Sequence, residues 1–182
     1  MQHDFCVGPV AGERYRGDLT TLDTVTTNAA RAVDTARTHG MEVVFVRFEG
    51  DTDHQGPSWR RRDALLGKQP KCRAGTEGAE FHKVTPASNE RVFTKRACFD
   101  AFLSDGFEQY LAERGFDHLM FVGVYTDVCV DSTARTAFQK GYHVTVLTDC
   151  TASLHLKDAE ILRFMRAVYG AETITQEESA WA

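Results

Sequence analysis

The chain has 182 residues, of which 42% are hydrophobic and 26% charged, and a formal net charge of −5. That length suits one domain with a single sizeable core, and the acidic balance argues against a nucleic-acid or anionic-membrane partner. No apolar run approaches the roughly 18–20 residues that span a bilayer, and the opening MQHDFCVGPV lacks the basic and apolar regions of a secretory signal.

Residues 19–39 place Leu22, Val25, Ala29, Val33 and Ala36 on one helical stripe that Gly40 stops. MEVVFVRF (Met41–Phe48) is rich in β-branched and aromatic residues and reads as a buried strand. Residues 49–90 hold three of the four prolines and are predicted as a long irregular excursion, with one helical turn near Trp59–Leu66. RVFTK (Arg91–Lys95) is a short strand, and Phe107, Tyr110 and Leu111 mark a helix that closes at Gly115. HLMFVGV (His118–Val124) is a strand, followed by a helix over Asp127–Lys140. YHVTVLTD (Tyr142–Asp149) is a strand, Lys157–Tyr169 a helix and ETIT a last short strand. Strand and helix alternate, which predicts an α/β domain over 1–182: a mostly parallel sheet with helices on both faces. In such sheets ligands bind beyond the carboxyl ends of the strands. Lys95, Cys129 and Asp149 all fall at or just past predicted strand ends, along one rim.

Cysteines occur at 6, 72, 98, 129 and 150, an odd number at irregular spacing without a CxxC pair. This argues against a disulfide framework and a zinc knuckle and predicts free thiols in a reducing cytoplasm. Cys129 differs from the others because it lies in the first turn of a predicted helix. Unpaired N–H groups and the positive end of the helix dipole favour a thiolate there, and the same N–H groups can receive an oxyanion. Thr126 or Asp127 is the expected cap. A buried structural cysteine explains the spacing equally well.

GVYTDVCVDSTARTAFQKGYHVTVLTDCTAS (Gly123–Ser153) resembles the signature of the isochorismatase-like cysteine hydrolases, a group that includes nicotinamidases, N-carbamoylsarcosine amidohydrolases and ureidoacrylate hydrolases. CRAGTEGAEF (Cys72–Phe81), VFTKRACFDAF (Val92–Phe102) and MQHDFC (Met1–Cys6) resemble three further segments of that family, in the right order. The resemblance implies a three-layer α-β-α fold around a six-stranded Rossmann-like sheet. It also implies that Cys129 is the nucleophile of a C–N hydrolase working through a thioester, with the Lys95 ammonium beside it. Val124–Tyr125 is expected to be cis, so that the N–H groups of Tyr125 and Cys129 form an oxyanion hole. Phe5 matches a residue lining the family's pocket, and Trp59 lies where an aromatic wall is common. A small-molecule substrate, no cofactor and a homodimer or homotetramer complete the implied picture.

The sequence departs from the family in two places. The family's general base opens an Asp-x-Gln-x-Asp-Phe motif at the end of the first strand, and Met1 aligns with the residue after that aspartate. The base and the strand leading to it would therefore precede residue 1, leaving a gap in the core and two strand edges unpaired. Three explanations are open: a start upstream of Met1, a weakened relative in which Asp4 or a water substitutes, or a strand supplied by another segment or subunit.

The second departure concerns metal. Asp51, Asp53 and His54 look superficially like a nicotinamidase metal pair, but no histidine lies between His54 and His82, and Lys71 occupies the place of the last ligand. A protonated lysine repels a dication, so no catalytic metal is expected. Retention of Cys129 favours cleavage of a small amide, ureido or carbamoyl compound. An isochorismatase-type vinyl-ether hydrolase and a non-catalytic binding relative are the alternatives. One of Arg60, Arg61 and Arg62 is a candidate to hold a substrate carboxylate, whereas Asp149 and Cys150 are taken as structural.

Overall fold

The computed structural model describes residues 1–179 and Trp181. Its long helix α3 (Thr20–Thr38) follows two short helices, α1 (His3–Cys6) and α2 (Pro9–Arg14). Then come β1 (Val44–Glu49), α4 (Pro57–Leu66), β2 (Arg91–Arg96), α5 (Phe107–Arg114), β3 (His118–Val124), α6 (Asp131–Gln139), β4 (His143–Ala152), α7 (Asp158–Tyr169) and β5 (Glu172–Ile174). All strand pairings among these elements are parallel, as the alternating pattern predicts. The short α1 and α2 carry no periodic stripe and were not expected. α4 is a full ten-residue helix rather than a single turn, because Pro57 opens it and Gly67, at φ +62°, ends it in the left-handed conformation.

Five strands form among the described residues, not six, and they do not make one sheet. β1 pairs with β2, and β3–β4–β5 form a separate three-stranded sheet. Helix α3 sets Ala29, Ala32 and Val33 against Phe45, Met120, Val122 and Leu147. On the opposite side α5 sets Phe107, Tyr110 and Leu111 against Val44, Val46 and Leu119, and α6 and α7 cover Val144 and Val146. Successive strand residues point to opposite faces, so the two half-sheets share both helical layers.

Between them lies a slot of about 530 Å³, lined on one side by Val44–Val46 and on the other by Leu119–Val122, with Met1, Lys95 and Cys129 also on its wall. At its edge the Gln2 side chain takes the place of a strand. Its Oε1 accepts from Phe48 N–H at 2.7 Å and its Nε2 donates to Phe48 O at 2.9 Å. Backbone polar groups alternate sides along a strand, so Val44 and Val46 aim theirs the same way, into the slot. The gap in the core anticipated from the sequence is therefore present.

Two strand boundaries differ by three residues from expectation: β1 starts at Val44 rather than Met41, and β4 overruns its expected end. β4 does not end at Asp149 but runs on to Ala152. The β3–β4 register jumps from Phe121↔Val146 to Gly123↔Thr151, so the bulge absorbs extra residues of β4 and moves the strand end beyond Asp149. Asp149 serves as an anchor for the C-terminal segment, accepting from Gln176 N–H and Gln176 Nε2, both at 2.9 Å.

Candidate active site

Beyond the carboxyl ends of β1 and β3 lies a cavity of about 770 Å³. It brings together Phe5, Trp59, Arg62, Tyr125 and Cys129, five residues offered as site candidates from the sequence, together with Lys71, and adds Phe48, Gln55, Asp63 and Phe99.

Cys129 does not stand in an ordinary α-helical first turn. Thr126–Val130 forms a π turn that leads into α6, a local widening often found at functional sites. The Tyr125 carbonyl accepts from the N–H groups of Val128 and Val130, on either side of Cys129. The Val124–Tyr125 peptide bond is cis. Neither expected residue caps this turn. The Thr126 hydroxyl is buried against Thr151 Oγ1 at 2.6 Å. The Asp127 carboxylate reaches across to accept from Leu154 and His155 N–H at 2.7 Å and from Leu156 N–H at 2.9 Å. Asp127 thereby ties the loop after β4, which forms one wall of the cavity, to the turn that carries the cysteine.

Cys129 is partly exposed and borders both the cavity and the slot, whereas Lys95 lines only the slot. Lys95 is 5% exposed and donates to the Phe99 carbonyl at 2.7 Å. Its ammonium makes no hydrogen bond to the Cys129 sulfur and no ion pair among the described residues. The remaining thiols separate clearly: Cys6, Cys72 and Cys150 are buried, and only Cys98 shares the partial exposure of Cys129. Burial raises the pKa of Cys98 above the ordinary thiol value.

The aromatic wall is continuous. Phe5 packs near Phe48 and Tyr125, Phe48 stacks with Trp59, and Trp59 lies 4.8 Å from Phe99, centroid to centroid. The Tyr125 hydroxyl donates to the Phe5 carbonyl, and burial pushes its phenol pKa upward. Of the three consecutive arginines only Arg62 lines the cavity. Its guanidinium sits 3.9 Å above the Trp59 ring and donates to Asp63 Oδ1 at 2.9 and 2.6 Å. Arg60 is exposed and reaches back to the Thr52 carbonyl.

Asp4 accepts from Cys72 N–H at 2.6 Å and lies so close to Gly78 that a Cβ there would come within 2.5 Å of its carboxylate. It staples the 72–78 loop to α1 and is committed to that task. Asp51 is likewise used to accept from Ala74 N–H at 2.9 Å. Among the described residues no group of three or more His, Cys, Asp or Glu side chains is arranged to hold a metal ion. No helix of the described residues is long and apolar enough to cross a membrane.

Residues 1–178 match the family profile described as "Isochorismatase domain". The ureidoacrylate amidohydrolase RutB of Yersinia enterocolitica is 29% identical over 150 residues, covering 74% of this chain and 64% of that protein. The chain thus spans slightly less than two thirds of that relative. An isochorismatase family protein from Desulfovibrio vulgaris superposes with a TM-score of 0.78 at 28% identity, over 97% of this chain and 90% of that one. N-carbamoylsarcosine amidase from Thermoplasma acidophilum superposes with a TM-score of 0.80 at 23% identity, over 99% and 94%, a likeness of fold.

Proposed function

The chain belongs to the isochorismatase domain family, and from that premise we propose that it is a cysteine hydrolase cleaving a C–N bond of a small ureido, carbamoyl or amide compound. The observation that carries the reading is the position of Cys129, a partly exposed thiol at a helix entrance on the wall of an aromatic-lined cavity. The kinship to ureidoacrylate amidohydrolases supports the substrate class.

The Cys129 sulfur attacks the substrate carbonyl carbon, and the oxyanion that forms is received by the N–H groups of Tyr125 and Cys129. The C–N bond breaks, the nitrogen leaves with a proton as ammonia or amine, and an acyl group remains on Cys129, a thioester from an amide or a thiocarbamate from a ureido compound. Water then attacks that acyl group, releasing the acid and restoring the thiol. Phe5, Trp59 and Tyr125 hold the substrate against the sulfur.

This chemistry needs a base for the thiol proton. Of the carboxylates lining the cavity, Asp127 is taken up by three backbone N–H groups and Asp63 by Arg62, while Glu13 is exposed to solvent. Lys95 is a buried cation with no carboxylate partner among the described residues, an arrangement that is costly unless an anion is brought to it. A carboxylate brought into the slot would meet Lys95 and Cys129 and serve as that base. The same observation favours a second reading, a chain that binds substrate but turns over poorly while the slot stays open.

The test is release of ammonia or amine from a panel of ureido, carbamoyl and amide compounds, with mass spectrometry of the quenched protein. The expected result is an acyl adduct on Cys129 and loss of turnover in Cys129→Ala. Binding without an adduct supports the second reading, and neither binding nor adduct overturns both.

A further inference from the structure

The cavity contains a buried amide whose orientation is fixed by its neighbours. Gln55 is 6% exposed and lines the cavity shared with Cys129. Its Nε2 donates to the Gly50 carbonyl at 3.1 Å and to Asp63 Oδ2 at 3.3 Å. The Gly50 carbonyl and the Asp63 carboxylate are acceptors, so the nitrogen end of Gln55 faces them and a flipped amide would set oxygen against oxygen. Asp63 is held in turn: it is 9% exposed, and its other oxygen takes both hydrogen bonds from Arg62, which lies on Trp59. The Gln55 carbonyl oxygen has no hydrogen-bond donor among the described residues. Held this way, the oxygen is an acceptor that an incoming N–H can satisfy.

We propose that Gln55 is a specificity determinant: its side-chain carbonyl accepts an N–H of a ureido or carbamoyl substrate, and Asp63, Arg62 and Trp59 are positioning residues that keep the oxygen, not the nitrogen, turned to the cavity. The proposal rests on the C–N hydrolase reading for the identity of the ligand, but not for its test. An ester or ether of the same shape offers no N–H and leaves the carbonyl unpaired, so the site rejects it. Discrimination of this kind, by a polar group that only the correct ligand satisfies, exceeds what shape alone provides.

The experiment measures equilibrium binding to the Cys129→Ala protein, in which turnover plays no part. The probes are N-carbamoyl-β-alanine and monomethyl glutarate, a similarly shaped acid whose ester end has no N–H. The unaltered cavity is expected to bind the ureido compound at least tenfold more tightly. Adding Gln55→Met is expected to weaken the ureido probe about tenfold and to change the ester by less than twofold. Adding Asp63→Asn, which keeps Gln55 but releases its amide to flip, is expected to reduce the same selectivity by a smaller factor, so the result does not depend on one variant folding. Equal losses for both probes, no loss for either, or no preference in the unaltered cavity overturns the proposal. Selective binding by a protein that hydrolyses nothing leaves this inference standing and removes the hydrolase reading; hydrolysis without Gln55-dependent selectivity does the reverse.

Discussion

The Gln2 side-chain amide bonds both backbone groups of Phe48, at 2.7 and 2.9 Å, and so occupies the position that a neighbouring strand residue holds in an ordinary sheet. A third bond, from the same nitrogen to the Ala79 carbonyl at 2.9 Å, ties α1 to the 72–80 loop. Gln2→Ala leaves the Phe48 N–H and carbonyl without partners in a buried setting. The expected loss is about 3 kcal/mol of unfolding free energy, from roughly 1 kcal/mol for each of three bonds, read as a lower urea midpoint with an unchanged slope.

The open edge beyond Phe48 has its own signature. Val44 and Val46 point their backbone groups into the slot, whereas Val144 and Val146 lie in β4, between β3 and β5. Native-state hydrogen exchange is expected to be at least tenfold faster at Val44 and Val46 than at Val144 and Val146. Fusing an apolar strand-forming segment ahead of Met1 is expected to slow exchange at the first pair without altering the second.

Asp127 links the cysteine turn to the loop after β4 through three backbone donors. Asp127→Ala is expected to cost about 2 kcal/mol, allowing for the partial exposure of the group. It should also weaken substrate binding, because Leu154 and His155 on that loop line the cavity. Comparison of KM with unfolding midpoints separates the two effects.

The buried thiols contribute to loss of stability at alkaline pH. Burial, with Asp149 adding to it, pushes the Cys150 thiol from its ordinary value of 9.0 up to about 12, so the folded state holds its proton more tightly than the unfolded chain does. That contribution is fully present below pH 9 and is lost as pH rises from 9 towards 12, at up to about 1.4 kcal/mol per pH unit. Cys72 and Cys6 shift in the same direction, mainly through burial. Unfolding free energy is expected to fall steeply above pH 9, and Cys150→Val is expected to flatten part of that slope.

The fold was legible where burial imposes a period. The stripe of α3 and the whole of β3 follow from the spacing of apolar residues, and Gly115 ends its helix in the left-handed conformation where the sequence placed the stop. Phe5, Trp59, Tyr125 and Cys129, all singled out from the sequence, share one cavity. What escaped depends on three-dimensional proximity. Gln55 and Asp63 are ordinary polar residues in an irregular stretch, and nothing in their spacing shows that each orients the other. The end of β4 was misplaced because a bulge shifts register without changing the apolar pattern. Asp127 looked like a cap because caps are local, whereas its partners lie 27 to 29 residues away.

The proposed chemistry requires Cys129 to be the reactive thiol, which timed alkylation measures. Iodoacetamide, followed by peptide mapping, compares Cys129 with Cys98, the other partly exposed cysteine, which corrects for simple access. The expected result is labelling of Cys129 at least tenfold faster than Cys98, slowed several-fold by Lys95→Met, with Cys6, Cys72 and Cys150 unlabelled in the folded protein. Labelling of Cys129 no faster than Cys98, or a rate indifferent to Lys95, contradicts the account.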